Sequence, residues 1–192
     1  MEIVVDGRGF DSLVKGLTKL ERELPRAIAQ GLNEGGDKVR TQVQKSLQRQ
    51  TGLVKYESVT SRVGTRRAFD GAPRSGIGPV AVGSLAYEII VRGKPSTKPS
   101  EFKYSVKKGP GGGVTVWVWN VPHKFQRSFA LFGKAAEGLR ARTGETRFPI
   151  RSFDGPNLAK EAVEGETAET FEKGAATLVM PMIEKRIGRI LG

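Results

Sequence analysis

The chain has 192 residues, no cysteine, a single histidine (His123) and a formal net charge of +12. That length fits one ordinary domain, 1–192, with its own core. The lack of cysteine removes disulfides, thiol nucleophiles and thiolate metal sites, and any Ser-His-Asp mechanism would have to run through the one histidine.

In chain order, residues 1–50 read as helix. Phe10, Leu13, Val14, Leu17, Leu20 and Leu24 recur at the i, i+3, i+4, i+7 spacing that places them on one helical face. Asp11 or Ser12 is placed to cap this helix, and Pro25 suits the first turn of a second helix or a kink. Ile28, Leu32, Val39, Val43 and Leu47 continue the stripe, with Gly35 and Gly36 at a point that allows a bend or close packing. Thr51-Gly52 ends the helical zone.

Residues 51–152 turn to strand composition. Leu53 to Val63, Leu85 to Arg92, Phe102 to Lys107 and Val114 to Asn120 are rich in Val, Ile, Tyr and Trp. VTVWVWN alternates with period two, which puts Val114, Val116 and Val118 on one face and Thr115, Trp117 and Trp119 on the other. KKGPGGG between the last two strands reads as a hairpin loop. Two Gly- and Pro-containing basic connections, 66–79 and 93–102, interrupt the strands, and such loops inside a domain are usually functional or disordered. RTGETRFPIRSFDGPNL, residues 142–158, reads as a joint: Thr143-Gly144-Glu145 at a hairpin tip, an edge strand through Arg147-Arg151 interrupted by Pro149, and Asp154-Gly155-Pro156-Asn157 turning and capping the next helix. From 153 to 192, Leu158, Ala162, Phe171, Ala175, Leu178, Val179, Met182, Ile183, Ile187 and Ile190 recur at helical spacings, with Gly165, Gly174 and Pro181 marking a bend or break. Acids early and cations late in this segment complement a helix dipole.

No apolar run approaches the roughly 20 residues that span a bilayer, and MEIVVDGRGF lacks the parts of a signal peptide, so a cytoplasmic setting without membrane partner is expected. Charge is unevenly spread: residues 1–50, 51–152 and 153–192 carry nets of +2, +12 and −2. A basic middle of this kind can meet phosphates or an acidic protein surface, or can simply solubilise loop-rich strands.

The chemical candidates in this zone are weak. GPGGG at 109–113 is followed by a strand where a phosphate loop requires Gly-Lys-Ser/Thr and a helix, and at Gly133-Lys134 the flanking Ser128 and Ala135 break the same pattern. His123 has no nucleophile or orienting acid beside it. Six acids, Glu57, Asp70, Glu88, Glu101, Glu137 and Glu145, show no sign of pairing for glycoside chemistry. Phe102, Tyr104, Trp117 and Trp119 could stack on bases among the cations, although aromatics alternating along a strand usually belong to a core. No enzyme activity, cofactor or metal is expected.

The order of parts carries a resemblance. Thr51-Gly52-Leu53 after a helix pair, a basic strand zone, the segment Phe125–Lys134 with Phe125-Gln126-Arg127-Ser128-Phe129, then Phe148-Pro149-Ile150 and Gly155-Pro156-Asn157-Leu158 before a terminal helix resemble the tail completion proteins of tailed phages, and most nearly the minor tail protein Z family. The resemblance implies a structural virion protein at the head-proximal end of the tail, assembled in host cytoplasm, in rings that are often hexameric. It implies tail terminator or tube and head-connector proteins as partners, with phage DNA a further candidate. A basic nucleic-acid-binding module is the alternative function. The expected fold is α+β, a mostly antiparallel sheet packed against N-terminal helices and a long C-terminal helix. Arg66, Arg67, Arg74, Lys94 and Lys98, on the 66–79 and 93–102 loops, are the candidate assembly contacts, expected to be mobile until they meet a neighbour.

Overall fold

The computed structural model describes residues 8–69, 85–93, 97–107, 112–131, 138–144, 146 and 148–191. The fold is α+β, as expected. Helix α1 runs Arg8–Thr51, followed by a one-turn helix α2, Tyr56–Thr60. Strands β1 (Val63–Arg66) and β2 (Glu88–Val91) form a two-stranded sheet. Strands β3 (Lys103–Lys107), β4 (Gly113–Val118) and β5 (Val121–Gln126) form a second sheet, and β6 (Ser128–Leu131), β7 (Gly138–Arg142) and β8 (Ile150–Ser152) a third. The second and third sheets are antiparallel meanders. Helix α3 (Leu158–Glu161) is short, and α4 (Gly165–Gly174) passes through a wide π turn, Ala175–Val179, into α5 (Met180–Leu191).

Several local expectations change. The helix pair is one helix: Pro25 lies inside α1, and Asp11 and Ser12 are interior positions because the helix already runs at Arg8. A proline inside a helix removes one backbone bond, which costs about 3 kcal/mol, a loss that a helix of 44 residues absorbs. Leu53 to Val63 is not a strand throughout: Leu53 makes a single bridge to Phe102, α2 intervenes, and only from Val63 does a strand begin. The strands also divide among three sheets instead of one. Arg147 lies outside the described residues, and the edge strand expected through Arg151 starts at Ile150, after a cis Phe148-Pro149 bond.

The chain divides into two compact units, Met1–Val39 with Thr65–Glu88 and Lys173–Gly192, and Arg40–Gly64 with Ile89–Glu172. In the first unit the small residues Ala27, Gly31 and Gly35 recur every fourth position along α1. A methyl group on Gly31 would stand 2.7 Å from Ile183 Cα, and one on Gly35 2.6 Å from Val179 Cα. Backbone thus lies almost against backbone, with α1 and the C-terminal helical segment antiparallel, so Gly35 serves close packing. Gly36 instead lies under a side chain, the ring of Tyr87. Pro181 cannot donate to the carbonyl four residues back, and the π turn before it takes up that mismatch.

The second unit holds the main core: Leu47, Leu53, Val59, Val63, Phe102, Val114, Val116, Leu139 and Leu158. The period-two reading of β4 holds for the valines, since Val114 and Val116 are buried and Val118 packs against them. It fails for the tryptophans as core, because Trp117 is half-buried and Trp119 is 45% exposed in the turn that follows. Trp119 and Asn120 have φ of 51° and 60°, the left-handed pair that a two-residue hairpin turn between β4 and β5 requires. This turn closes α1: the Trp119 N–H donates to Thr51 O (2.9 Å) and Asn120 Nδ2 to Arg49 O (3.0 Å), satisfying carbonyls that a helix end leaves unpaired. Gly52, with φ +78°, donates its N–H to Gln48 O and ends the helix where the sequence places its end.

Gln50 joins α1 to the next two helices. Its Nε2 donates to Glu161 O at the end of α3 (3.0 Å), and its Oε1 accepts from the Thr167 N–H (2.9 Å) and hydroxyl (2.8 Å) in the first turn of α4. Asn157 caps α3 as expected, accepting from the Ala159 N–H at 3.0 Å.

Candidate assembly surfaces

The five candidate cations fall in different settings. Arg74 and Lys94 lie outside the described residues. Arg66 ends β1 and pairs with Glu88 of β2 at 3.0 Å, with both side chains largely in solvent. Arg67 pairs with Asp37 at 2.6 Å, and the same carboxylate accepts from the Tyr87 hydroxyl at 2.7 Å. The structure therefore places Arg66 and Arg67 together in the first unit and gives each a carboxylate partner.

Lys98 lies in the second unit and is exposed, at the entry of a short 3-10 turn, Pro99–Glu101. Its surroundings are fixed, which corrects the expectation of a mobile 93–102 connection for residues 97–102. Thr97 is fully buried: its hydroxyl donates to Pro156 O (2.7 Å), and its carbonyl accepts from the Gly155 N–H (2.6 Å). Pro99 is buried and Phe102 is core. Composition hid this because threonine and proline read as loop residues, whereas their partners lie 59 residues away at the Gly-Pro corner.

One ion pair anchors the same turn. Arg62 grips Glu101 with two nitrogens, at 3.0 and 2.9 Å, and the two side chains are only 12% and 18% exposed. Burial pushes the Glu101 carboxyl up, but the Arg62 hydrogen bonds, the Lys98 N–H and the Arg62 charge outweigh it, and the group titrates below the ordinary carboxylate range. In the first unit Arg186 holds the Glu34 carboxylate and reaches Gln30, and its hydrogen bond is the main cause that lowers Glu34.

Among the described residues the catalytic candidates do not converge. His123 sits on β5, half-buried, edge-on to Trp119 at 6.0 Å, and its Nε2 is buried without a hydrogen-bond partner. Glu88 and Glu101 are in ion pairs with arginines, and Asp70, Glu137 and Glu145 lie outside the described residues. Gly113 begins a strand, so the glycine run does not lead into a phosphate-binding helix. Among the described residues no three His, Asp or Glu side chains gather to hold a metal, and no helix is long and apolar enough to cross a membrane.

What the arrangement offers is surface. Val163 is 72% exposed, Val54 60% and Val121 52%, with Tyr104 and Val106 exposed along β3. An α+β chain with exposed apolar side chains fits a protein that functions by contact. The model of the prophage minor tail protein Z (GPZ) family matches residues 8–189. The chain belongs to that family. The minor tail protein Z match runs from the start of α1 nearly to the end of α5, so it spans both units and supports a structural role in a phage tail. No curated protein and no solved structure matches the chain.

Proposed function

We propose that this minor tail protein completes the head-proximal end of the tail and helps join the tail to the head connector, as one subunit of a ring. The observation that carries the reading is the family match over residues 8–189. Exposed apolar side chains such as Val163, Val54 and Met180 support it, because they suit a subunit whose surface is covered by neighbours in the particle. On this reading the protein is not an enzyme, its partners are copies of itself together with tail terminator or tube and connector proteins, and the 66–79 and 93–102 connections supply contacts. A ring multiplies a modest contact by its subunit number, so each connection need contribute only a little free energy.

The test is complementation of a phage that lacks this gene. Because Thr97 is built into the fold, removal of the whole connection would damage the subunit, and charge reversal is the cleaner change. Lys94→Glu with Lys98→Glu should leave the subunit folded while electron microscopy shows unjoined heads and tails. A normal yield of joined, infectious particles would remove the 93–102 connection from the contact. A particle that joins normally with no copy of the protein would overturn the head-joining reading itself.

A further inference from the structure

The partner of the basic zone can be sought on the second sheet. In its register Lys103 stands opposite Trp117 and Trp117 opposite Pro122; Ser105 opposite Thr115 and Thr115 opposite Lys124; Lys107 opposite Gly113 and Gly113 opposite Gln126. Residues opposite one another in an antiparallel sheet project to the same face, so Lys103, Lys107 and Lys124 share one face with Trp117. The Lys103 ammonium lies 5.2 Å from the Trp117 ring centre, as that register demands. The alternate positions, Val114 and Val116, are buried in the core, so the lysine face is the outer one. Lys103, Ser105, Lys107, Pro122, Lys124 and Gln126 are exposed on it, and none of its registered positions is acidic.

Strand geometry sets the spacing. With strands about 4.8 Å apart and a rise of about 3.4 Å per residue, Lys103 and Lys107 are about 14 Å apart and Lys124 is about 12 Å from each. This is a flat triangle of cations with the hydroxyls of Ser105 and Thr115 between them and the Gln126 amide beside Lys124. Five arginines elsewhere, Arg49, Arg62, Arg66, Arg67 and Arg186, already have carboxylate partners. Protein interfaces are built around an apolar centre and are depleted in lysine, whereas nucleic-acid interfaces are polar and strongly positive. Of the face's registered members only Trp117 and Pro122 are large and apolar, so its composition is of the second kind.

We propose that the outer face of β3, β4 and β5 binds the phosphate backbone of DNA, without sequence preference, through Lys103, Lys107 and Lys124, with Trp117 beneath the contact. This contact stands apart from the head-joining reading and survives its failure. The phosphates supply the charge complement, since duplex DNA presents one charge per about 1.7 Å of axis, or about eight along the longest edge of the triangle.

The test uses the full chain and a short fluorescent DNA duplex across a salt series. Lys103→Gln, Lys107→Gln and Lys124→Gln together should make the slope of log affinity against log salt shallower by about 2.7, the share of three phosphate contacts. Lys45→Gln, Lys55→Gln and Lys160→Gln together remove the same charge from exposed positions of the same unit and should change the slope far less. The chain has two tryptophans, so Trp119→Phe leaves Trp117 as the sole indole, and its emission should be quenched saturably by the duplex. Should the triple variant fail to fold by circular dichroism, each single variant should lower the slope by about 0.9. Equal loss in both triple variants, or Trp117 emission unchanged at saturating DNA, overturns the proposal. So does a triple variant that keeps its DNA affinity but loses self-association, which would assign the face to a protein neighbour.

Discussion

At the scale of single residues, the Arg62–Glu101 pair sets an acid limit on the second unit. Glu101 titrates lower in the folded chain than in the unfolded one, so the pair stabilises fully above the ordinary carboxylate range, and that contribution is lost as pH falls through the folded value. Glu101→Gln should lower stability near neutral pH by about 2 kcal/mol, the usual worth of a charge-assisted hydrogen bond, and should flatten the loss of stability below about pH 4.5. Urea melts across the acid range check both. Thr97 makes a second case of the same kind. Thr97→Val keeps the shape but removes the donor from the half-buried Pro156 carbonyl, and should cost about 1–2 kcal/mol, whereas Lys98→Gln one residue on should be near neutral.

At the scale of elements, the decisive contact of the first unit is the close approach of α1 to the C-terminal helical segment. At Gly31 and Gly35 the obstructing atoms are backbone, so a side chain cannot be accommodated by a rotamer change and the helices must separate. Gly35→Ala should destabilise by about 1–3 kcal/mol, and Gly31→Leu by more, as overpacking does elsewhere. Gly144→Ala is the control, because open space surrounds that position. Thermal unfolding followed by circular dichroism separates the three. In the second unit the corresponding element is the β4–β5 turn: Asn120→Ala removes both a residue suited to the left-handed region and the donor to Arg49 O, and the end of α1 should fray, visible as faster amide exchange near Thr51.

At the scale of the whole molecule, the proposed function rests on surface contacts. Exposed apolar residues contribute little to the isolated subunit, so Val54→Ser and Val163→Ser should each change its stability by no more than about 0.5 kcal/mol. If they lie in contacts with neighbouring subunits, the same variants should lower the oligomer fraction in native mass spectrometry, and an unchanged distribution would place them outside those contacts. The charge behaves differently from the apolar surface. A net of +12 looks like one broad field, yet arginines such as Arg62 and Arg67 are committed to the fold while the lysines of β3 and β5 face outward.

The sequence by itself determined what depends on local periodicity and local chemistry. The apolar stripe through Val39, Val43 and Leu47 is buried, the valines of β4 face the core, Gly52 ends α1, Asn157 caps α3, and the order of motifs points to the family that matches the chain. Each of these follows from a few neighbouring residues, whose spacing or side chain prefers one backbone conformation. Tertiary structure decided what depends on partners far along the chain. Pro25 did not end α1, Leu53 to Val63 did not become one strand, and Trp119-Asn120 made a hairpin turn although only the asparagine suits one. Thr97 became core because Pro156 and Gly155 came to meet it, and Arg62 became a structural residue because Glu101 did. The lysine face was equally hidden: Lys103 and Lys107 are spaced to share a face, but only the register of three strands brings Lys124 and Trp117 onto it, and no local preference encodes which strand lies beside which.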